Sequence, residues 1–316
     1  MTSIVFMGTP QFAVPILQSL LDQHYDVKAV VTQPDRPVGR KHVLTASPVK
    51  QLAVANEIEV LQPEKINHSE EMQRVIDLQP DLIVTAAFGQ FLPTKLLAAA
   101  KVAAINVHGS LLPKYRGGAP VQYAIMNGEK KTGVSIIYMI KQMDAGDILA
   151  QKAIEIGKND DTGSMFDKLS LLGRDLLLET IPDLLNGQVV PVAQDESKVI
   201  FSPNISSEEE HIDITMTAEQ IDWKVRALRP FPIANINLDG LRTKLWQVRV
   251  LEDNTDLNPG QVVSVTKHEL VLAAGKGTTF SIQQLQPAGK PQMSITDYLN
   301  GHQDIKQGAQ VVNNGK

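Results

Sequence analysis

The residues best suited to catalysis lie at the end of an apolar run, Val102–Val107, which contains Asn106 and is followed by His108. Side chains two apart in a strand share a face, so Asn106 and His108 would point the same way. An asparagine amide can donate to a developing oxyanion, and a histidine can move a proton near neutral pH. The pair predicts acid–base chemistry with oxyanion stabilisation. Spacing alone favours the alternative, a backbone-bonded histidine beside a structural asparagine.

A second segment supplies a carboxylate. Asp144 and Asp147 follow the apolar run Val134–Met139 by a few residues. We expect that run to end at the same sheet edge as His108, where Asp144 could pair with the imidazole or order a bridging water. The alternative for both aspartates is turn chemistry, since Asp-Ala-Gly-Asp is a common turn composition.

An alternation of strands and helices over the first 160 residues must position these side chains. The predicted strands are Ile4–Met7, Val27–Thr32, Leu82–Ala87, Val102–Val107 and Val134–Met139, and the predicted helices are Gln11–Asp22, Pro48–Ala55, Ser69–Leu78 and Ala119–Met126. Alternation with continuously apolar strands predicts an α/β fold, a Rossmann-like and mostly parallel sheet covered on both faces. Ligands then bind outside the carboxyl ends of the strands. A helix over residues 163–185 closes this domain.

The second part of the chain has a different character. Five short β-like runs within residues 234–285 follow a helix-like stretch, Ala218–Leu228, and glycines punctuate them as turns. This pattern predicts a smaller β-barrel that resembles an oligonucleotide-binding (OB) barrel. The predicted domains are residues 1–189 and 207–316, joined by a linker over 190–206, and the tail from Gly308 is predicted to be disordered.

Composition excludes several classes of protein. The 316 residues contain 30 Lys and Arg against 35 Asp and Glu, a net charge of −5, so any nucleic-acid contact needs a local basic patch. Cysteine is absent, which removes disulfides, thiolate metal sites and thiol nucleophiles. The turn Gly8-Thr9-Pro10 lacks the dinucleotide fingerprint, and no two histidines are three or four apart. We therefore expect no nicotinamide and no metal. No apolar stretch reaches the length of a membrane span, so we expect a cytoplasmic protein that binds no membrane.

Several motifs occur in order along the chain: Met7-Gly8-Thr9-Pro10, Gln33-Pro34-Asp35-Arg36-Pro37, Ser47-Pro48-Val49-Lys50, Asn106 to Pro113, Tyr115-Arg116-Gly117 and Met143 to Asp147, with Val225 to Leu228 and Leu285-Gln286-Pro287 in the second domain. Together they resemble the methionyl-tRNA formyltransferase family. The set around Asn106, His108 and Asp144 is similar to the wider folate-dependent formyltransferases. The loop from Gln33 and the second domain narrow the resemblance to the tRNA enzymes.

The resemblance implies transfer of a formyl group from 10-formyltetrahydrofolate, a co-substrate, to the α-amine of methionine on charged initiator tRNA. Asn106, His108 and Asp144 match the family's catalytic residues. The residues that match its folate site are Ser110, Leu111, Leu112 and Pro113, with Phe88, Gly89 and Gln90 in the loop that borders the pterin. This chain has Phe88 and Phe91 where many relatives carry Tyr and Ile.

The loop from Gln33 to Ala46 is longer than the usual two to six residues and carries Arg36, Arg40 and Lys41. Its alternative is a solvated surface loop. The resemblance implies that it contacts the acceptor end of the tRNA, with Arg40 at the position of the family's key arginine. One lysine position of the family is Val43 here.

Two rival functions stay open at this stage. One is a formyltransferase of the same superfamily that acts on a small amine, such as a nucleotide sugar. The other is a non-catalytic RNA-binding protein in which Asn106, His108 and Asp144 are structural. We expect a monomer whose partners are charged initiator tRNA and tetrahydrofolate.

Overall fold

The computed structural model describes residues 1–39 and 42–314, and within them the chain forms two compact units that are interleaved in sequence. The first unit holds Met1–Pro120, Lys131–Glu155 and Phe166–Pro203. The second holds Val121–Lys130, Ile156–Met165 and the described chain from Asn204 onward. The domain limits proposed from the sequence stay a prediction.

The first unit is built on a seven-stranded sheet with two short accessory pairs. Its strands are β1 (Ser3–Gly8), β2 (Asp26–Val31), β3 (Arg36–Val38), β4 (Val43–Thr45), β5 (Glu59–Leu61), β6 (Leu82–Ala86), β7 (Ala103–His108), β8 (Lys114–Arg116), β9 (Lys131–Tyr138), β10 (Ile148–Glu155) and β11 (Ile200–Phe201). The main sheet has the order β10-β9-β7-β6-β1-β2-β5. Strands β7, β6, β1, β2 and β5 run parallel, and β9 is antiparallel to both of its neighbours, β7 and β10. The predicted mostly parallel sheet is confirmed.

Before Asn204 the described chain forms six α-helices, and α5 and the start of α6 belong to the second unit: α1 (Val14–Asp22), α2 (Pro48–Ala55), α3 (Glu70–Leu78), α4 (Thr94–Leu97), α5 (Pro120–Met126) and α6 (Thr162–Leu185). Ser47 caps α2 by accepting a bond from the Lys50 amide, and Pro48 occupies the first turn, as the Ser-Pro pair predicts. Strand residues of β1, β2 and β6 pack with Met72, Val75 and Phe88 in a fully apolar cluster. This core fixes the strands whose ends carry the candidate site.

From Asn204 onward, the described chain forms an antiparallel sheet and two α-helices of the second unit. These elements are α7 (Ala218–Ala227), β12 (Asn235–Leu238), β13 (Leu241–Leu251), β14 (Val262–Val265), β15 (Leu270–Ala273), β16 (Thr279–Pro287), β17 (Met293–Ser294) and α8 (Ile295–Asn300). The sheet order is β12-β13-β16-β15-β14, with β17 on β16. Thr217 and Gln220 form a capping box at α7. The separate antiparallel unit is confirmed, and the closed OB-like barrel stays a prediction.

The predicted disorder of the tail from Gly308 is wrong for residues 308–314. Val312 pairs with Leu238 of one edge strand, and Gln310 pairs with Gln261 beside the other edge strand, β14. Val311 and Val312 are buried at 6% and 1% exposure. The segment is ordered because it covers both sheet edges and buries two valines, although its sequence is polar and rich in glycine and asparagine.

Two pieces of the first part of the chain pack within the second unit. The ring of Trp223 lies directly over Gly128, where a Cβ would lie 2.5 Å from the ring. The Thr162 hydroxyl donates to the Ala227 carbonyl at 2.6 Å, and Arg229 pairs with Asp161 at 2.7 Å.

Among the described residues, no helix is both long and apolar enough to cross a membrane.

Candidate active site

Asn106 is held at the end of β7 by its parallel neighbour. Thr85 of β6 pairs with Asn106 in register, and its hydroxyl donates to Asn106 Oδ1 at 2.7 Å. Because Oδ1 is occupied as an acceptor, Nδ2 faces Asp144, where it lies 3.5 Å from Oδ1 of that carboxylate. The amide has a second N–H besides this long contact, and a neutral N–H donor is what an oxyanion requires.

His108 is buried at 6% exposure and has different neighbours at its two ring nitrogens. Nε2 lies 2.9 Å from the Tyr115 carbonyl oxygen, and Nδ1 lies 3.7 Å from Asp144 Oδ1. A carbonyl can only accept, so Nε2 carries a proton whether the ring is neutral or charged. The proton that His108 can exchange is therefore the one at Nδ1, on the side of Asp144.

The expectation that the strand before Asp144 ends at the same sheet edge as His108 is wrong. Strand β9 is antiparallel to β7, so its carboxyl end leaves the sheet level with Ala104, whose carbonyl accepts from the Met139 amide. The chain then folds back and brings Asp144 beside Asn106 and His108. The expected meeting of the three side chains is found, but not because two parallel strands end at one edge.

The Asp144 carboxylate has a second anchor besides the two side chains. Its Oδ2 accepts from the Gly117 amide at 2.9 Å, while Oδ1 faces Asn106 and His108. Asp144 and Tyr115 have φ values of +52° and +65°. Non-glycine residues pay roughly 1–2 kcal/mol in this left-handed region, and such strain clusters at functional sites.

The loop after His108 contains the four residues matched to a folate site. Ser110 is fully buried, and its hydroxyl donates to the Lys114 carbonyl at 2.7 Å. Leu112 is also buried. Its backbone amide donates to the Ser135 hydroxyl at 3.1 Å, and its carbonyl accepts from the Gln151 side-chain amide at 3.0 Å. Ser110 and Leu112 thus set the shape of the loop, and Leu111 and Pro113 are its partly exposed members.

The loop after β6 contains the other matched residues. Phe88 is buried in the apolar cluster, and its carbonyl accepts from the Gln33 side chain at 3.0 Å. The Gln90 side chain donates to the Pro63 carbonyl at 3.1 Å and accepts from the Ile66 amide at 2.7 Å. Gly89 is exposed, with φ of +86°. A ligand beside this loop would meet the backbone at Gly89 rather than the two larger side chains.

The long basic loop forms a short hairpin of β3 and β4, which the sequence did not predict. Arg36 makes a two-pronged ion pair with Glu64, at 2.6 and 3.2 Å. Asp35 binds the Lys50 ammonium at 2.7 Å and the Gln62 amide at 2.8 Å, and these bonds hold the pKa of the Asp35 carboxyl below its usual value. Arg40 and Lys41 lie outside the described residues.

Three residues near the site, Arg116, Gln194 and Glu196, were not assigned a role from the sequence. The Arg116 side chain is 1% exposed and binds the Gln194 side chain at 3.0 Å and Glu196 at 2.7 Å. The guanidinium holds the pKa of the Glu196 carboxyl below its ordinary value. Gln194 and Glu196 lie in the segment predicted to be a linker, residues 190–206. No periodicity or spacing relates them to residue 116, so only the packed chain reveals the connection.

Comparison with known proteins identifies the chain. A family model described as "Formyl transferase" matches residues 1–181, and "Formyl transferase, C-terminal domain" matches residues 204–303. Methionyl-tRNA formyltransferase of Limosilactobacillus fermentum is 68% identical over 315 residues, 99% of this chain and 100% of that protein. The chain belongs to the methionyl-tRNA formyltransferase family. The Levilactobacillus brevis member is 69% identical over 312 residues, 98% of this chain and 99% of its own.

Solved structures agree on the fold of this formyltransferase family member. WlaRD, a sugar 3N-formyl transferase, has a TM-score of 0.69 and 18% identity, covering 92% of this chain and 99% of its own. HypX from Aquifex aeolicus has a TM-score of 0.65 and 16% identity. The alignment covers 98% of this chain and half of HypX. Identities this low support the fold alone.

The arrangement of acidic and histidine side chains bears on metal binding. Within residues 1–39 and 42–314 there is no group of three or more His, Asp or Glu side chains able to hold a metal ion.

Proposed function

We propose that the chain transfers a formyl group to the α-amine of methionyl-tRNA, and that the donor is 10-formyltetrahydrofolate. The observation that carries the proposal is the meeting of Asn106, His108 and Asp144 in a chain with 68% identity to a methionyl-tRNA formyltransferase over its whole length. The catalytic roles of the three residues and the identity of the donor are parts of this proposal. The predicted monomeric state and cytoplasmic location stay predictions.

The reaction joins the amine nitrogen to the formyl carbon and breaks the bond from that carbon to N10. The amine must lose one proton, and N10 must gain one. Attack on the carbonyl produces a tetrahedral intermediate with a negative oxygen, which the Asn106 N–H and a protonated His108 Nδ1 would stabilise. His108 Nδ1 would give its proton to N10 as the bond to the formyl carbon breaks and would take up the proton that the amine loses, and Asp144 would stabilise the imidazolium.

The donor would lie beside the two loops at the carboxyl ends of β6 and β7. Its folate contacts are proposed for Ser110, Leu111, Leu112 and Pro113 and for Phe88, Gly89 and Gln90. The burial of Ser110 and Leu112 supports an indirect role for their side chains, which keep the loop rigid. Leu111, Pro113 and the Gly89 backbone are the surfaces that a planar ring would meet.

The expected result of a direct assay is formylmethionyl-tRNA. Purified chain, 10-formyltetrahydrofolate and charged initiator tRNA should give an acid-stable formylated amine, measured by mass spectrometry after hydrolysis of the ester. Free methionine and a nucleotide-linked amino sugar, offered under the same conditions, should be formylated far more slowly. Faster turnover of the sugar would support the small-amine alternative. No formylation of any amine would leave the RNA-binding alternative.

Recognition of tRNA is proposed for Arg36, Arg40 and Lys41 together with the predicted second domain, residues 207–316. Arg40→Ala should weaken tRNA binding and make log Kd less dependent on log salt, by about 0.7 for each single-stranded phosphate that the variant no longer neutralises. Glu64→Gln should strengthen binding by up to about fivefold, because it releases Arg36 from an exposed ion pair worth about 0.2–1 kcal/mol.

Fluorescence titration across a salt series measures both variants. Lys95→Ala, an exposed cation elsewhere in the same unit, is the matched control and should keep the wild-type slope. A wild-type slope in Arg40→Ala, with no gain in Glu64→Gln, would show that the loop does not contact the polyanion.

A further inference from the structure

A single glutamine outside the predicted site joins the backbone of the Asp144 turn to a buried arginine. Gln194 Nε2 donates to the carbonyl oxygens of Asp144 and Gly146, at 2.7 Å each. Its Oε1 accepts from Nε of Arg116 at 3.0 Å. Both polar atoms of one carboxamide are therefore occupied, and each connects to chain that carries the site.

The arginine end of this connection leads back to the candidate catalytic residues. Arg116 lies between Tyr115, whose carbonyl accepts from His108 Nε2, and Gly117, whose amide donates to Asp144 Oδ2. The Arg116 carbonyl accepts from the Ser202 amide at 2.7 Å, and β8 pairs with β11. Gln194 thus binds two separate segments that position the Asp144 carboxylate. One is the backbone at Asp144 and Gly146, and the other is Arg116, which precedes the Gly117 amide that donates to Asp144.

The surrounding segment also reaches this part of the chain through two backbone hydrogen bonds between Val192 and Ile148, at 2.8 and 2.9 Å. Most of residues 191–200 are exposed, Val192 at 60%, and Gln194 is one of the few that are partly buried. Apolar packing is therefore not what holds this segment to the sheet. Asp144 is meanwhile kept at a φ of +52°, a conformation that persists only where the surroundings impose it.

We propose that Gln194 is a positioning residue that fixes Asp144 against His108 and Asn106 by holding the carbonyls of Asp144 and Gly146. The inference rests on the proposed formyl transfer and adds a residue to it. Gln194 does not touch the reacting atoms, so its loss should lower kcat by misplacing Asp144 and should leave substrate binding intact.

Two substitutions separate the two ends of the carboxamide. Gln194→Ala removes both, and Gln194→Glu keeps an acceptor for Arg116 but cannot donate to the two carbonyls. Each should lower kcat by about 10- to 100-fold, because a misplacement of about 1 Å costs this much, with KM for donor and tRNA little changed. Gln188→Ala, exposed in the same part of the chain, is the control and should have the wild-type kcat. A wild-type kcat in Gln194→Glu would overturn the proposal.

A double-mutant cycle distinguishes positioning from general destabilisation. If Gln194 acts through Asp144, adding Gln194→Ala to Asp144→Ala should cause no further decrease in the single-turnover rate. An equal fractional decrease in both backgrounds would mean that Gln194 only stabilises the fold, and the proposal would be wrong.

Hydrogen exchange gives a readout that needs no substrate. In Gln194→Glu the Gly117 amide, which donates to Asp144, should exchange faster, and amides of β1 and β7 should keep wild-type protection. Unchanged exchange at Gly117 would contradict the proposal even if the wild-type chain formylated another amine. A wild-type chain that fails to formylate methionyl-tRNA would contradict the proposed function alone.

Discussion

Asn106→Ala and His108→Ala should each lower kcat by about 10²–10³-fold, with the fold intact. Each substitution removes a group that would stabilise the negative oxygen of the tetrahedral intermediate, and removal of one such donor typically has this effect. Stopped-flow or quenched-flow formylation of charged initiator tRNA measures the rate. Thermal unfolding of the same samples verifies that the fold is intact.

The control for this pair is Asn67→Ala, an exposed asparagine in the same unit, which should keep the wild-type rate. The double variant should lose less activity than the product of the two single effects, because residues that act on one intermediate are not additive. Near-normal turnover in both single variants would make Asn106 and His108 structural, as the spacing argument alone allows.

Gly146→Ala should disrupt both stability and activity. A Cβ at this position would collide with the carbonyl oxygen of Tyr138, which is backbone and cannot rotate away. Overpacking of this kind costs about 1–3 kcal/mol or more, and the forced shift would move Asp144 two residues away. We expect a decrease in kcat of about 10²-fold, consistent with a misplacement of about 1 Å.

Gly301→Ala is the matched substitution for this test. Its nearest neighbour would be the Tyr298 carbonyl at 3.7 Å, an ordinary contact, so stability and rate should stay at wild-type values. Chemical denaturation and steady-state kinetics on both variants decide the matter. A Gly146→Ala protein with wild-type stability would contradict the packing argument.

The sequence predicted the parts of this protein that depend on local patterns. Apolar runs located the central strands to within a residue or two, and the two-residue period placed Asn106 and His108 on one face. The Ser47-Pro48 pair located the start of α2. These features depend on residues that are close in sequence, so the sequence alone is enough to predict them.

Other features depend on partners far along the chain. The direction of β9 is decided by its pairing with β7, and no local signal distinguishes it from a parallel strand. The role of Arg116 depends on residues 78 and 80 positions away. The tail at Val311 and Val312 is ordered only because two sheet edges are available to it. Composition predicted a linker over 190–206 and disorder from Gly308, and it could not identify what these segments bind.

The interleaving of the two units limits how domains of this family can be exchanged. Residues 121–130 and 156–165 precede the second domain in sequence yet pack inside it, with Gly128 beneath Trp223 and Thr162 bonded to Ala227. A chimera joined between residues 181 and 204 would combine these two segments with the second domain of another protein. If position 128 then carried a side chain, that side chain would collide with a tryptophan at position 223. We expect recombination at that point to give a folded protein only when the two parents share both segments, so the two domains would be exchanged as one unit.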